Sequence, residues 1–319
     1  MFKLVENRNE KGLDQNKVIT NAVIESIKEN PKVVALDADL GTCSGFANIA
    51  KEYPNNYIEC GIAEANMVGV AAGMSVLGYT PIVHSFAPFA ARRDFDQLFL
   101  SGAYAHNTIN VYGSDPGFAV AANGGTHTSW EDIAIMRTIP NSIVVDVCDE
   151  TQAANVTKQL LKLDGIHYIR STRKPLRKVY TPDSTFEIGK GNVVREGNDL
   201  LIITAGEMLT DALDAAEELQ NQGISCEVID MFTIKPLDEE LVRKEVKGKK
   251  AVLTIENASV YGGLGSAVND VLVNCEDRVH VKNMGVKDEF GQVGTVDYLK
   301  KAFHLTKEDI IEQAKLITK

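Results

Sequence analysis

The chain has 319 residues, 44% of them hydrophobic and 24% charged, with 25 glycines and 9 prolines. That is the make-up of an ordinary globular protein of about two domains, long enough to bury proper cores without disulfide or metal staples. Lys and Arg number 33 against 44 Asp and Glu, a formal net charge of −11, which argues against a general binder of nucleic acid or of anionic membranes. The five cysteines (Cys43, Cys60, Cys148, Cys226 and Cys275) are odd in number, and no two lie within four residues of each other. A CxxC metal or redox pair is thereby excluded, and a reducing, cytoplasmic setting is expected. The opening run MFKLVENRNEKGLDQNK is charged throughout, so no signal peptide is expected.

Short β-branched runs alternate with amphipathic segments along the whole chain, which predicts an α/β protein with open, mostly parallel sheets. In the first half, strands are expected at Val33–Asp37, Tyr57–Cys60, Thr80–His84, Ile109–Tyr112, Ser142–Asp146 and Ile166–Arg170. Helices are expected near 15–29, 62–77, 89–103, 131–137 and 150–163, the last announced by Asp149 as N-cap with Gln152 as its partner. Between Ala65 and Ala91 there is no Asp, Glu, Lys or Arg. Gly78, Pro81, His84 and Pro88 punctuate that stretch, so it reads as a buried helix followed by a buried strand and not as a membrane span. Arg170–Glu187 carries five basic residues in its first nine and two prolines, the look of a linker. The style then repeats: strands at Leu200–Thr204, Ser225–Met231, Ala251–Ile255 and Val279–Lys282, helices at 207–221 and 264–273, and a last helix announced by Thr306 and Asp309. This gives two domains, 1–175 and 189–319, joined through 176–188.

The helix near 62–77 is rich in small residues, among them Gly69 and Gly73. Glycine within a helix costs ~1 kcal/mol against alanine, so two of them call for a close backbone approach. Packing on the sheet and a helix crossing at a subunit interface both meet that demand.

Glu64 opens this helix directly after a strand, inside CGIAEANM. A carboxylate there is stabilised by the helix dipole. The apolar run that follows would instead desolvate it and raise its proton affinity, which suits acid–base work. His84-Ser85-Phe86-Ala87-Pro88-Phe89 ends a strand, and its two phenylalanines serve equally as core or as a flat wall for a planar heterocycle. The loop GSDPGFAVAANGGTHTSWED, with His127 after a GGT turn, lies where α/β sheets bind ligands, although a lone histidine is commonly structural. GGLGS at 262–266 is not a full GxGxxG and is not at the first βα turn, so no dinucleotide site is read. The six histidines share no metal-ligand spacing, and no metal is expected on this chain's own side chains.

The run YIECGIAEANMVGVAAGMSVLGYTPIVHSFAPF, followed by GGTH, WEDIAIMR and IP, resembles the transketolase family of thiamine diphosphate enzymes. The resemblance extends from about Lys17 to the C-terminus and covers only the second half of a full transketolase, as in the C-terminal subunits of transketolases split into two chains. It implies a pyrimidine-binding thiamine diphosphate domain followed by a transketolase C-terminal domain. By position, Glu64 matches the glutamate that bonds the cofactor's aminopyrimidine and promotes the imino tautomer, which removes the thiazolium C2 proton. Phe86 and Phe89 match the aromatic wall against that ring, and Asp39 an aspartate near the thiazolium. Arg92 falls where many members place a tyrosine in the cofactor site. His127 matches a histidine that contacts donor-sugar hydroxyls and Arg173 an arginine that holds the substrate phosphate.

There are departures. Asp115 stands where transketolases usually carry a histidine, Asn123 replaces an aspartate that reads a substrate hydroxyl, and Cys43 takes the place of a phosphate-contacting serine. Loss of one positioned hydrogen bond shifts discrimination strongly. The resemblance therefore implies retained transfer of a two-carbon ketol unit, with a sugar other than the usual xylulose/ribose phosphate pair, such as an apulose phosphate or a sulfosugar. The family's diphosphate–magnesium motif, GDG followed by Asn, appears nowhere. The expected partner is an N-terminal subunit that carries it and holds the diphosphate and Mg²⁺ in a heterotetramer. Two other readings stand beside this one: a beta subunit of a 2-oxo-acid dehydrogenase decarboxylase component, and a non-catalytic half-enzyme. The GIAE context, Arg173 and the GGTH loop favour transketolase.

Overall fold

The computed structural model describes residues 1–276 and 278–319. The first half supplies strands β1 (Lys11–Asp14), β2 (Val33–Asp37), β3 (Tyr57–Glu59), β4 (Thr80–Phe86), β5 (Ile109–Ser114), β6 (Ile143–Asp146), β7 (Ile166–Ser171) and β8 (Pro175–Arg177). The second supplies β9 (Asn192–Arg195), β10 (Leu200–Thr204), β11 (Cys226–Asp230), β12 (Thr233–Lys235), β13 (Ala251–Ser259) and β14 (His280–Val286). They form a seven-stranded sheet in the order β12-β6-β7-β5-β4-β2-β3, a five-stranded sheet β14-β13-β10-β11-β9, and a small β1-β8 ribbon. Among the described residues, β12 and β9 are the strands of the two large sheets that run antiparallel to their neighbours. Every residue of β2, β5, β10 and β11 is buried, as inner strands of parallel sheets covered on both faces should be.

The ten expected strands and most of the expected helices fall where the hydrophobic pattern placed them. The Asp149 carboxylate accepts from the Gln152 N–H at 2.8 Å, and a reciprocal capping box joins Thr306 to Asp309. Two expectations need correction. The segment 89–103 is not one α-helix; it contains the π-helical runs Phe89–Arg93 and Leu98–Tyr104. The basic stretch from Arg170 is not a solvated linker at its start: β7 runs on to Ser171, and Arg170 is buried between Asp132 and Asp146, 2.8 Å from each. β12, from the second half, also completes the first half's sheet against β6.

The helix Glu64–Val76 is buried on one face only, through Met67, Val68, Ala71 and Ala72. A Cβ placed on Gly69 or Gly73 would meet nothing within 4 Å, so these glycines are not there to fit the sheet. No helix among the described residues is long and apolar enough to cross a membrane. At Gly262–Ser266, the N–H groups of Leu264 and Gly265 that open the helix Leu264–Leu272 donate to the buried Glu256 carboxylate at 2.7 and 2.9 Å. An internal anion thus satisfies the donors that a nucleotide phosphate would otherwise use.

Candidate active site at the carboxyl edge of the first sheet

In-register pairing brings the ends of β2, β4 and β5 to one edge: Asp37 lies opposite His84, and Phe86 opposite Ser114. That is the edge at which open parallel sheets bind ligands. A buried polar chain locks it. Asp37 accepts from Ser44 Oγ at 2.6 Å and from His84 Nδ1 at 3.1 Å, and His84 Nε2 meets Ser114 Oγ at 3.0 Å. The other Asp37 oxygen accepts the N–H groups of Ala38 and Leu40 at 2.9 and 3.0 Å. Between them Asp39 is exposed and left-handed (φ 60°), its N–H donating to Glu59 at 2.7 Å.

Glu64 is 5% exposed at the first turn of its helix. Its Oε1 accepts from Arg93 Nη1 at 2.7 Å, and the Arg93 guanidinium lies 3.9 Å over the Phe89 ring. Phe86, Phe89 and His127 pack edge to face, with centroids 6.2 Å apart between the phenylalanines and 5.7 and 5.1 Å from each to His127. Glu64, Phe86, Phe89 and His127 therefore form one surface. Arg92 is not part of it: its Nε lies 3.0 Å from Glu131 and 3.5 Å from the Pro88 carbonyl. A π turn takes more residues than an α turn and so rotates the positions that follow. Arg93 is accordingly the arginine that faces the glutamate, a residue the sequence reading missed. Asp94, also missed, is fully buried with neither carboxylate oxygen hydrogen-bonded. Burial first, then the Glu64 charge, pushes its carboxyl up to about 8.

The long loop returns His127 to the wall. Its ring Nδ1 is 2.9 Å from Thr126 Oγ1, and its N–H donates to Gly124. The glycines are needed there, since a Cβ on Gly125 would meet the Gly291 carbonyl and one on Gly124 the Val293 side chain. Asn123 is exposed on this loop, next to the glycine turn. Asp115, 2% exposed and left-handed (φ 50°), accepts from the Arg173 N–H at 2.7 Å, from Arg173 Nε, and from Thr172 Oγ1 at 3.2 Å. The Arg173 guanidinium lies 4.9 Å from the Phe86 ring. Asn16 ties Cys43 to the same corner, donating to its carbonyl at 2.9 Å and meeting the Arg173 carbonyl through its own N–H at 3.5 Å.

A planar aminopyrimidine needs a carboxylate to accept its protons and an aromatic face to stack on. Glu64 and Phe89 supply that pair, and a planar N–H-bearing group, the Arg93 guanidinium, already makes both contacts here. The residues therefore fit the heterocycle. Among the described residues no group of three or more His, Cys, Asp or Glu could hold a metal ion.

A two-domain α/β chain with a glutamate and an aromatic wall at this edge has the plan of one half of a thiamine diphosphate enzyme, and comparison with known proteins agrees. The family model for the transketolase pyrimidine-binding domain matches residues 11–178, and that for the transketolase C-terminal domain matches residues 189–310. The chain belongs to the transketolase family, whose members depend on thiamine diphosphate. It is 44% identical over 297 residues to the 6-deoxy-6-sulfo-D-fructose transketolase subunit SqwH of Clostridium sp. (strain MSTE9), covering 93% of this chain and 92% of that one. It is 34% identical to an apulose-4-phosphate transketolase subunit of Phocaeicola vulgatus, with coverage of 93% and 95%. A solved structure described as a split gene transketolase, inactive beta4 tetramer, superposes with a TM-score of 0.88 at 36% identity, covering 96% of this chain and 98% of that one.

Proposed function

We propose that this chain is the C-terminal subunit of a two-chain transketolase that moves a two-carbon ketol unit from a ketose to an aldose acceptor, with a non-standard sugar. The observation that carries this reading is the buried Glu64 carboxylate facing the Phe86–Phe89–His127 wall. When bound, thiamine diphosphate supplies the carbon nucleophile that such a transfer requires. Glu64 holds and exchanges the proton on the pyrimidine nitrogen. Phe86 and Phe89 exclude water from the ring face and fix its tilt. His127, held through Nδ1 by Thr126, presents Nε2 to the donor's hydroxyls, and Asn123 beside it contacts the sugar. Asp39 at the end of β2 lies toward the thiazolium, while Arg173, Asp115 and Cys43 take the far end of the substrate. Arg92 stays at the rim of the cofactor site.

The diphosphate and Mg²⁺ belong, on this reading, to an N-terminal partner subunit with the GDG motif, in a cytoplasmic heterotetramer. The outward Gly69 and Gly73, beside exposed Ile62, Val76, Leu77, Leu100 and Tyr104, support a subunit contact on this face, since small residues permit close helix approach and large apolar ones favour burial. The sugar specificity of the two relatives, a sulfofructose and an apulose phosphate by their names, supports a modified ketose here. The test is to combine both subunits with thiamine diphosphate and Mg²⁺ and screen ketose donors for two-carbon transfer. Transfer from a sulfo- or branched ketose supports the reading; decarboxylation of a 2-oxo acid without sugar transfer contradicts it.

A further inference from the structure

Arg173 is held by a carboxylate instead of standing free. Asp115 grips it at the backbone N–H and at Nε, while Nη1 and Nη2 have no hydrogen-bond partner among the described residues. The grip is rigid: Asp115 is buried, its own N–H donates to the Ser171 carbonyl at 3.0 Å, and the neighbouring Ser114 is tied through His84 to Asp37. Arg173 is therefore a fixed two-nitrogen edge beside the aromatic wall, backed by a negative charge that cancels most of its own.

From this pair we propose that Asp115 is a charge-selecting positioning residue: it restricts the substrate's distal group to a monoanion, of the sulfonate class, and disfavours a phosphate dianion. The inference rests on the transketolase reading above, which puts the far end of the substrate at Arg173. The attraction of an anion to a site grows in proportion to its charge, whereas the cost of stripping its water grows as the square of that charge. A bare arginine can offset the desolvation of a dianion. An arginine already neutralised by a buried carboxylate offsets much less, yet its two free nitrogens still suit the oxygens of a tetrahedral monoanion. Titratable side chains facing the pair are Cys43 and Tyr112, with His127 across Phe86.

The experiment uses the enzyme reconstituted with its partner subunit, thiamine diphosphate and Mg²⁺, and two probes, 6-deoxy-6-sulfofructose and fructose 6-phosphate. A phosphate ester takes up its second proton near pH ~6, whereas a sulfonate stays a monoanion throughout. The kcat/KM ratio of sulfonate to phosphate is expected to fall several-fold between about pH 8 and about pH 5.5 in the unaltered enzyme. Asp115→Asn, which keeps the shape and removes the charge, is expected to lower that ratio about tenfold at about pH 8. A merely structural role would depress both substrates alike and leave the ratio where it was. Transfer with a pH-independent ratio overturns this inference alone, as does an unmoved ratio in Asp115→Asn. If the variant does not fold, the pH course of the unaltered enzyme decides. An enzyme inactive on both ketoses contradicts the transketolase reading, and the inference falls with it.

Discussion

Arg93 and Glu64 are joined at 2.7 Å, with the guanidinium of the one stacked 3.9 Å over Phe89. The two contacts are those an aminopyrimidine would make, so the arginine and the heterocycle compete for one carboxylate and one ring face. An ion pair half open to solvent on the arginine side is worth about 1 kcal/mol or less. Arg93→Met is therefore expected to tighten thiamine diphosphate binding to the reconstituted enzyme by up to about fivefold. Calorimetric titration of wild-type and variant complexes measures this, and weaker binding in the variant would mean that Arg93 helps to hold the cofactor.

Glu64→Gln keeps the volume and removes the exchangeable carboxyl proton. The rate of ketol transfer by the reconstituted enzyme should fall ~10²–10⁴-fold, the usual size of a positioned acid–base contribution. Turnover near the wild-type level would remove Glu64 from the proton path.

Asp94 ties stability to pH. Its folded value of about 8 lies above the ordinary 3.8, so the folded protein holds this proton where the unfolded chain has lost it. Asp94 thus carries no penalty below about pH 4 and an increasing one as pH rises through 8, on the order of a few kcal/mol once ionised. Glu207, Asp230 and Glu256, each raised to about 7 by burial, act in the same direction. The melting temperature should therefore drop between about pH 6 and about pH 8.5, and Asp94→Asn should reduce the drop. An identical drop in wild type and variant, followed by differential scanning fluorimetry, would show that the folded protein does not hold the Asp94 proton above the ordinary carboxylate range.

Arg170 is the hub between the two halves. Buried, it bonds Asp132 and Asp146 and also the Asn257 carbonyl, and Asn257 in turn accepts the Phe118 N–H at 3.0 Å and donates to Pro116 and Glu207. Arg170→Met leaves two buried carboxylates without their cation, which typically costs about 3–5 kcal/mol. Urea denaturation is expected to show an unfolding free energy lowered by that amount; a loss under about 1 kcal/mol would mean the carboxylates simply take up protons.

The parts of this molecule that were legible in the sequence are those fixed locally. β2 and β10 read directly as apolar runs of four residues closed by Asp37 and Thr204, and Asp149 and Thr306 cap the helices they announce. What escaped depends on distant partners or on backbone geometry. β12 is three residues long and becomes a strand only because β6 offers an edge from the other half of the chain. Arg92 and Arg93 are equivalent in composition, and only the π turn decides which one meets Glu64. Asp115 was legible as a departure from the family pattern. Its bond to Arg173 was not, because that bond requires a left-handed residue at the end of β5 facing the end of β7.

On the proposed reading, this chain carries the pyrimidine half of a shared site and depends on a partner for the diphosphate half. Titrating thiamine diphosphate with Mg²⁺ into the purified chain, and then into the chain mixed with a GDG-bearing N-terminal subunit, tests it directly. Negligible heat from the chain alone and a saturable, tight isotherm from the mixture is the predicted result. Tight binding by the chain on its own would contradict the claim.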